Sequence, residues 1–399
     1  MSSLQRISSF LGLRRSIVGL LCMVILVGMG EKMAERFLPI YLLALGGGAM
    51  SVGLLNGMDN LLSALYSYPG GYLSDRLGTK RALLVFNLVA MFGFIIVILV
   101  PAWPAVIVGA VFFLSWTAIS LPATMSLVAR VLPKHKRTMG VSMHSLVRRV
   151  PMALGPVVGG LCIDHWGATD GVRIAFVAAL GLAVVAAVAQ QVLIEDQPPA
   201  QDAGKSTPIH PLTVLRGMRP ELKNLLVSDI LVRFCEQIPY AFVVVWAMKA
   251  ITSPVSGTQF GILTSIEMAT AMLVYIPVAY MADRTRKKPF VVLTFVFFTL
   301  FPLALVFCQS FVTLAAAFVL RGLKEFGEPT RKALIMDLAP EDQKALTFGA
   351  YYLARDIVVS VAAFGGAGLW LISPQANFLT AFAFGVMGTI WFALRGRDL

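Results

Sequence analysis

The chain has 399 residues, of which 58% are hydrophobic and only 14% charged, with a mean hydropathy of +0.80. Soluble domains carry roughly a quarter charged residues, so this composition excludes an ordinary water-soluble protein. The net charge of +12 would suit a nucleic-acid partner, but its placement along the chain excludes that reading too.

Crossing the hydrocarbon takes about 20 apolar residues as a helix. In chain order, runs of that size fall near 16–45, 50–73, 82–100, 104–130, 139–161, 172–194, 222–248, 258–281, 289–308, 311–337, 346–371 and 375–394. They predict an all-α membrane protein of about twelve transmembrane helices in two pseudo-symmetric six-helix bundles, 1–194 and 222–399. The first run is interrupted by Glu31 and Lys32 and then resumes, so it reads as a retained span rather than a cleaved signal peptide. The polar stretch 195–221, with Pro198, Pro199, Pro208, Pro211 and Pro220, reads as a flexible cytoplasmic linker.

With the N-terminus inside, the cytoplasmic segments hold twenty-one Lys and Arg residues, against Arg173 and Lys249 outside. This asymmetry predicts both termini on the cytoplasmic side of the cell inner (plasma) membrane. It also accounts for the positive charge without any nucleic acid. The four cysteines, Cys22, Cys162, Cys235 and Cys308, are scattered and suggest no disulfide framework. The four histidines have no metal-ligand spacing, and no cofactor is expected.

An internal repeat runs through the chain. An offset of 208 pairs Gly53 with Gly261, Asp59 with Glu267, Pro69 with Pro277, Asp75 with Asp283 and Arg76 with Arg284. An offset of 207 pairs Pro122 with Pro329, Pro133 with Pro340 and Arg148 with Arg355. In spans 1 and 7 an offset of 201 pairs Lys32 with Arg233 and Glu35 with Glu236. Parallel repeats of this kind place a solute site between the halves near mid-depth.

A charge at the bilayer centre costs about 2.5–3.5 kcal/mol on the insertion scale, so it must face protein or water. Mid-span charges occur in spans 1, 2, 5, 7, 8, 10 and 11 and are absent from spans 3, 6, 9 and 12, which marks every third helix as lipid-facing support. Candidate cavity residues are Glu31, Lys32, Glu35, Arg36, Arg148, Arg233, Glu236, Lys324 and Arg355. Glu31 and Glu35 share a helix face and could hold one proton between them, unless Lys32 and Arg36 simply neutralise them. Asp59 and Glu267, single acids in apolar helices, are further proton-carrier candidates together with Glu35. Arg148 and Arg355 could anchor either an anionic solute group or a carboxylate partner. His144, four residues before Arg148, reads as a satisfied helix residue, and Gly322, Gly327 and Pro329 could bend span 10.

After span 2 the chain reads Gly71-Tyr-Leu-Ser-Asp75-Arg76-Leu-Gly78-Thr79-Lys80-Arg81. This resembles the signature loop of the major facilitator superfamily, departing at Thr79. A degraded copy keeps Asp283 and Arg284. The resemblance implies the major facilitator fold, with Gly71, Asp75, Arg76, Gly78, Lys80 and Arg81, and in the copy Asp283 and Arg284, as the gating loop. Gly155-Pro156-Val-Val-Gly159-Gly160 in span 5 is similar to the core of the antiporter motif of drug:proton exchangers. Pro151 stands where that motif has a further glycine, and span 4 lacks the exchangers' buried arginine.

These readings together predict a secondary transporter, not an enzyme. No G-x-x-x-x-G-K-[ST] phosphate loop occurs, so an ion gradient is the expected energy source. The expected partners are a small-molecule solute, protons (with Na⁺ as the alternative ion) and the lipid bilayer, with the chain acting as a monomer. Export by proton exchange is the leading expectation. Proton-coupled uptake of an anionic or zwitterionic solute is the alternative, and a membrane enzyme on a lipid-linked substrate the more distant one.

Overall fold

In hydrocarbon no water is available to satisfy backbone N–H and C=O groups, so the apolar runs fold as helices. The computed structural model describes residues 15–114, 116, 119, 120, 123, 124, 127, 137–195, 211–282, 286–340 and 344–397. Among the described residues seven helices are long and apolar enough to cross a membrane. The merged stretch Val147–Leu193 is among them, and its 47 residues suffice for two crossings.

The first half begins with α1 (Arg15–Glu35) and a short α2 (Leu38–Ala44), whose Pro39 sits in the first helical turn, where its missing N–H costs nothing. Then follow α3 (Gly48–Leu77), α4 (Thr79–Leu99), α5 (Trp103–Phe113) and α6 (Arg137–Leu193). α6 is two helices broken at Gly167, whose φ of 81° lies in the left-handed region that favours glycine.

In the second half come α7 (Pro211–Gly217), α8 (Pro220–Gln237), α9 (Phe242–Val245) with a π turn at Trp246–Ala250, α10 (Gly257–Ala282) and α11 (Lys287–Phe307). The remaining elements are α12 (Phe311–Leu323), α13 (Glu328–Leu338), α14 (Lys344–Ile372) and α15 (Pro374–Arg395). The expected bend in span 10 is present as the turn between α12 and α13. The stretch read as a linker holds one helix, α7, and its Val214 together with Met218 is buried against Leu222 and Leu225; residues 196–210 lie outside the described residues.

The chain divides into two compact units, 1–46 with 65–206, and 47–64 with 207–399. In the first unit α1 lies along both arms of α6. A Cβ on Gly155 would fall 2.7 Å from that of Lys32, and one on Gly30 would fall 2.8 Å from the Ala179 backbone. Gly93 of α4 and Gly109 of α5 approach through their backbones, and Phe94, Phe113 and Phe176 pack ring to ring at 5.3–5.7 Å beside them. In the second unit Gly385 and Gly388 of α15 admit α8, and Gly322 of α12 meets the Glu267 carbonyl of α10. The 47–64 part of α3 joins this unit: Gly53 and Gly57 face Ala367 and Phe364, and Asn56 donates to the Gln237 carbonyl at 2.9 Å. Small residues at helix contacts are the expected device where lipid supplies no hydrophobic drive.

Candidate functional site: two ionic clefts

Charge in the first unit gathers at the last turn of α1. Lys32 Nζ lies 3.2 Å from Glu31 and also bonds Glu35, so one ammonium serves two carboxylates. Glu31 is buried, its side chain 4% exposed. It lines a cleft together with Lys32, Trp116, Thr124, His144 and Arg148.

Three local features position these groups. Gly155 and Gly159 of α6 face the backbone of Lys32 and Met33, so the antiporter-like glycines set the distance between α1 and α6 where the charges sit. Pro156 and Gly160 are buried beside them. A relay of buried amides orients the Trp116 ring. Its indole N–H donates to Asn87 Oδ1 at 2.8 Å, Asn87 donates to Gln190 at 2.7 Å, and Gln190 donates to the Lys80 carbonyl at 2.8 Å. Arg148 forms no ion pair within 4.0 Å among the described residues.

A Cβ at Gly159 would overlap the Met33 carbonyl, so α1 and α6 must separate in Gly159→Ala. The expected loss is about 1–3 kcal/mol of stability, as for other overpacked sites. Thermal melting in detergent checks this, with Gly181→Ala as control because a Cβ there meets open space. Equal melting of the two variants would refute the contact.

The second unit holds a larger network. Asp229, Arg233 and Glu236 lie at i, i+4 and i+7 on one face of α8. Asp229 accepts from Arg331, from the Tyr351 hydroxyl at 3.1 Å and from Arg355 at 3.4 Å. Arg233 bonds Glu236 at 2.6 Å, and Lys324 bonds Glu236 at 2.8 Å. Glu267 lies 3.2 Å from Arg321 and 3.4 Å from Lys324. Glu328 accepts from Arg331 at 2.7 Å, and Arg355 holds Asp356 at 2.7 Å while stacking on Tyr352 at 4.2 Å. The turn between α12 and α13 delivers these groups: Arg321 precedes it, Lys324 opens it, and Glu328 and Arg331 follow it. A second cleft lies beside Glu236, Tyr240, Phe298, Arg321 and Lys324.

Several expected residues are thereby gathered: Glu31, Lys32, Glu35 and Arg148 in the first unit, and Arg233, Glu236, Glu267, Lys324 and Arg355 in the second. Arg36 follows α1 directly and is half-buried, and Asp59 is half-buried on α3. Of the signature loop, Gly71 lies within α3, and Arg76 stands over the Tyr72 ring at 4.9 Å. Gly78 caps α4 with φ 78°, Lys80 is half-buried and Arg81 exposed. The Asp75 side chain, Asp283 and Arg284 lie outside the described residues. Sequence reasoning counted Asp229, Arg321, Glu328 and Arg331 as mid-span charges without giving them a site, and it overlooked Trp116, Thr124, Tyr351 and Tyr352. His144, expected to be a satisfied helix residue, lines the first cleft. Its four-residue spacing from Arg148 was the available signal.

A model described as the Major Facilitator Superfamily matches residues 20–250 and 225–398. An uncharacterized MFS-type transporter of Methanocaldococcus jannaschii is 22% identical over 367 residues, covering 88% of this chain and 87% of its own. The multidrug resistance protein MdtG of Klebsiella pneumoniae is 30% identical over 152 residues, a match to 36% of this chain and 35% of that protein. Among solved structures, the nucleoside transporter NupG superposes with a TM-score of 0.80 at 12% identity, over 96% of this chain and 100% of that one. A POT family transporter in complex with 5-aminolevulinic acid gives 0.78 at 12% identity, over 96% of each chain. At these identities the likeness is one of fold.

Proposed function

The chain belongs to the Major Facilitator Superfamily and is a transporter of small solutes rather than an enzyme; on that premise we propose that it works by proton-coupled alternating access, exporting its solute in exchange for protons. The bundles 1–194 and 222–399 are the moving bodies of this proposal, and the Lys and Arg asymmetry favours both termini in the cytoplasm.

One observation carries the coupling. Glu31, a buried acid, and Arg148, a cation without an ion pair among the described residues, line the same cleft in the first unit. A proton site and a solute site that share a cleft are coupled by proximity. Glu31 shares one cation, Lys32 at 3.2 Å, with a second carboxylate, Glu35, whereas Glu267 is clamped between two cations, Arg321 and Lys324. Of the acids considered, Glu31 is therefore assigned the transported proton; Glu267 belongs to the fixed network, and Glu35 takes the other side of Lys32. Export is favoured by the antiporter-like glycines that seat α1 and by the local similarity to multidrug resistance proteins. Uptake of an anionic solute is the second reading, favoured by Arg148 and Lys32 in the cleft wall.

The test is transport into proteoliposomes under imposed pH gradients of both signs, with a panel of drug-like cations and small organic acids. Exchange predicts accumulation when the lumen is acidic. Accumulation under the opposite gradient would establish uptake instead. Transport indifferent to both gradients would refute proton coupling.

A further inference from the structure

The internal repeat lets the two ionic sites be compared position by position. The offset of 207 pairs Arg355 with Arg148, Tyr351 with His144 and Arg331 with Thr124, and the offset of 201 pairs Asp229 with Gly28. In the second unit these four side chains close on one another, with the Asp229 carboxylate at the centre of Arg331, Tyr351 and Arg355. Asp356 takes the other edge of Arg355 at 2.7 Å.

In the first unit the cation is kept and both carboxylates are lost. Gly28 stands at the position of Asp229, and Arg149 at that of Asp356. Gly28, Thr124, His144 and Arg148 are all cleft-lining residues. The cleft therefore lies among the positions whose repeat mates enclose a carboxylate.

A guanidinium that makes no direct ion pair in a low-dielectric site, its nearest acid Glu31 being held by Lys32, is costly, and its planar fork matches a carboxylate in two parallel hydrogen bonds. We infer that the cleft binds the carboxylate of a small organic acid in the place that the Asp229 side chain fills in the other unit. Arg148 takes its charge, and His144 and Thr124 stand beside it where Tyr351 and Arg331 stand beside Asp229. Trp116, oriented through Asn87, offers an apolar wall to the rest of the molecule. The acid in the cleft wall, Glu31, is covered by Lys32. In this arrangement the second unit's ion cluster is an internal copy of the bound state.

This inference rests on the cleft being the solute site, and a binding measurement without a gradient separates it from the coupling. Full-length purified protein in detergent would be titrated with aliphatic, aromatic and α-amino carboxylates, each beside its own primary amide. At least one acid is expected to bind about tenfold or more tighter than its amide, the scale of a hydrogen bond to a charged group. Arg148→Gln should erase that preference. Gly28→Asp should also erase it by supplying the missing carboxylate, while Gly28→Asn keeps it. Both Gly28 variants meet the same crowding, since a Cβ there lies 3.0 Å from Pro151 Cγ, so their difference isolates the charge. Should neither Gly28 variant fold, Arg148→Gln decides alone. The inference is overturned if no acid is preferred to its amide, or if the preference survives Arg148→Gln. Binding that keeps this preference in a protein indifferent to pH gradients would sink the coupling alone.

Discussion

Glu31→Gln is expected to abolish solute accumulation driven by a pH gradient while leaving downhill exchange of the same solute intact. A gradient of about two pH units supplies about 2.7 kcal/mol per proton, enough to sustain roughly a hundredfold concentration ratio. A glutamine of the same shape cannot take up and release the proton, so accumulation should fall to a ratio of about one. Exchange needs only the binding site and its movement, and Arg148, His144 and Trp116 are left in place around the cleft. The comparison with the other acids is the sharp part of the experiment. Asp59→Asn and Glu267→Gln should keep gradient-driven accumulation wherever they keep exchange. If one of them loses it while Glu31→Gln retains it, the proton belongs to that acid instead.

The largest effect on stability is expected at Asp229. Its side chain is 1% exposed; Arg331, Tyr351 and Arg355 converge on it, and Arg233 stands at 3.9 Å. Asp229→Asn keeps the volume and removes the charge, leaving two buried guanidiniums short of their counter-ion. Breaking a buried pair from one side costs about 3–5 kcal/mol; Glu328 and Asp356 still hold Arg331 and Arg355, so the lower end of that range is expected. Asp337 provides the contrast. It bonds Lys287, but the two side chains are 42% and 26% exposed, and an exposed pair contributes about 0–1 kcal/mol. Thermal melting of Asp229→Asn, Asp337→Asn and wild type should therefore separate the first variant clearly from the other two. Equal melting of both variants would mean that the buried network is replaceable. The double variant Asp229→Asn/Arg331→Gln should lose less than the sum of the single losses, since the partners share one interaction.

Hydropathy and the repeat carried the architecture as far as helix order and the approximate spans, because the demand for internal backbone hydrogen bonds in lipid leaves few alternatives. Individual breaks were legible where a special residue causes them, as with Gly327 and Pro329 between α12 and α13. Others were less so. The break of α6 at Gly167 falls in the gap read between the runs 139–161 and 172–194, but which residue there takes the left-handed φ of 81° was not legible. The short helix α7 was hidden because the stretch 195–221 is polar on average, while a few apolar side chains, Val214 and Leu215 with Met218 just beyond the helix, pack against the core.

The sequence by itself determined that charges occur mid-span, that they recur in both halves, and that Arg148 and Arg355 are equivalent. Burying ions in lipid is too costly to be incidental, so their presence is readable from composition along the chain. Only the tertiary structure decided which of those charges neutralise one another. Asp229 and Arg331 are 102 residues apart and meet only because α8 and α13 pack side by side. Arg148 keeps no such partner among the described residues, because its half of the repeat carries Gly28 where the other carries Asp229. Pairing depends on separations of a few ångström between distant segments, and a one-dimensional pattern does not encode them.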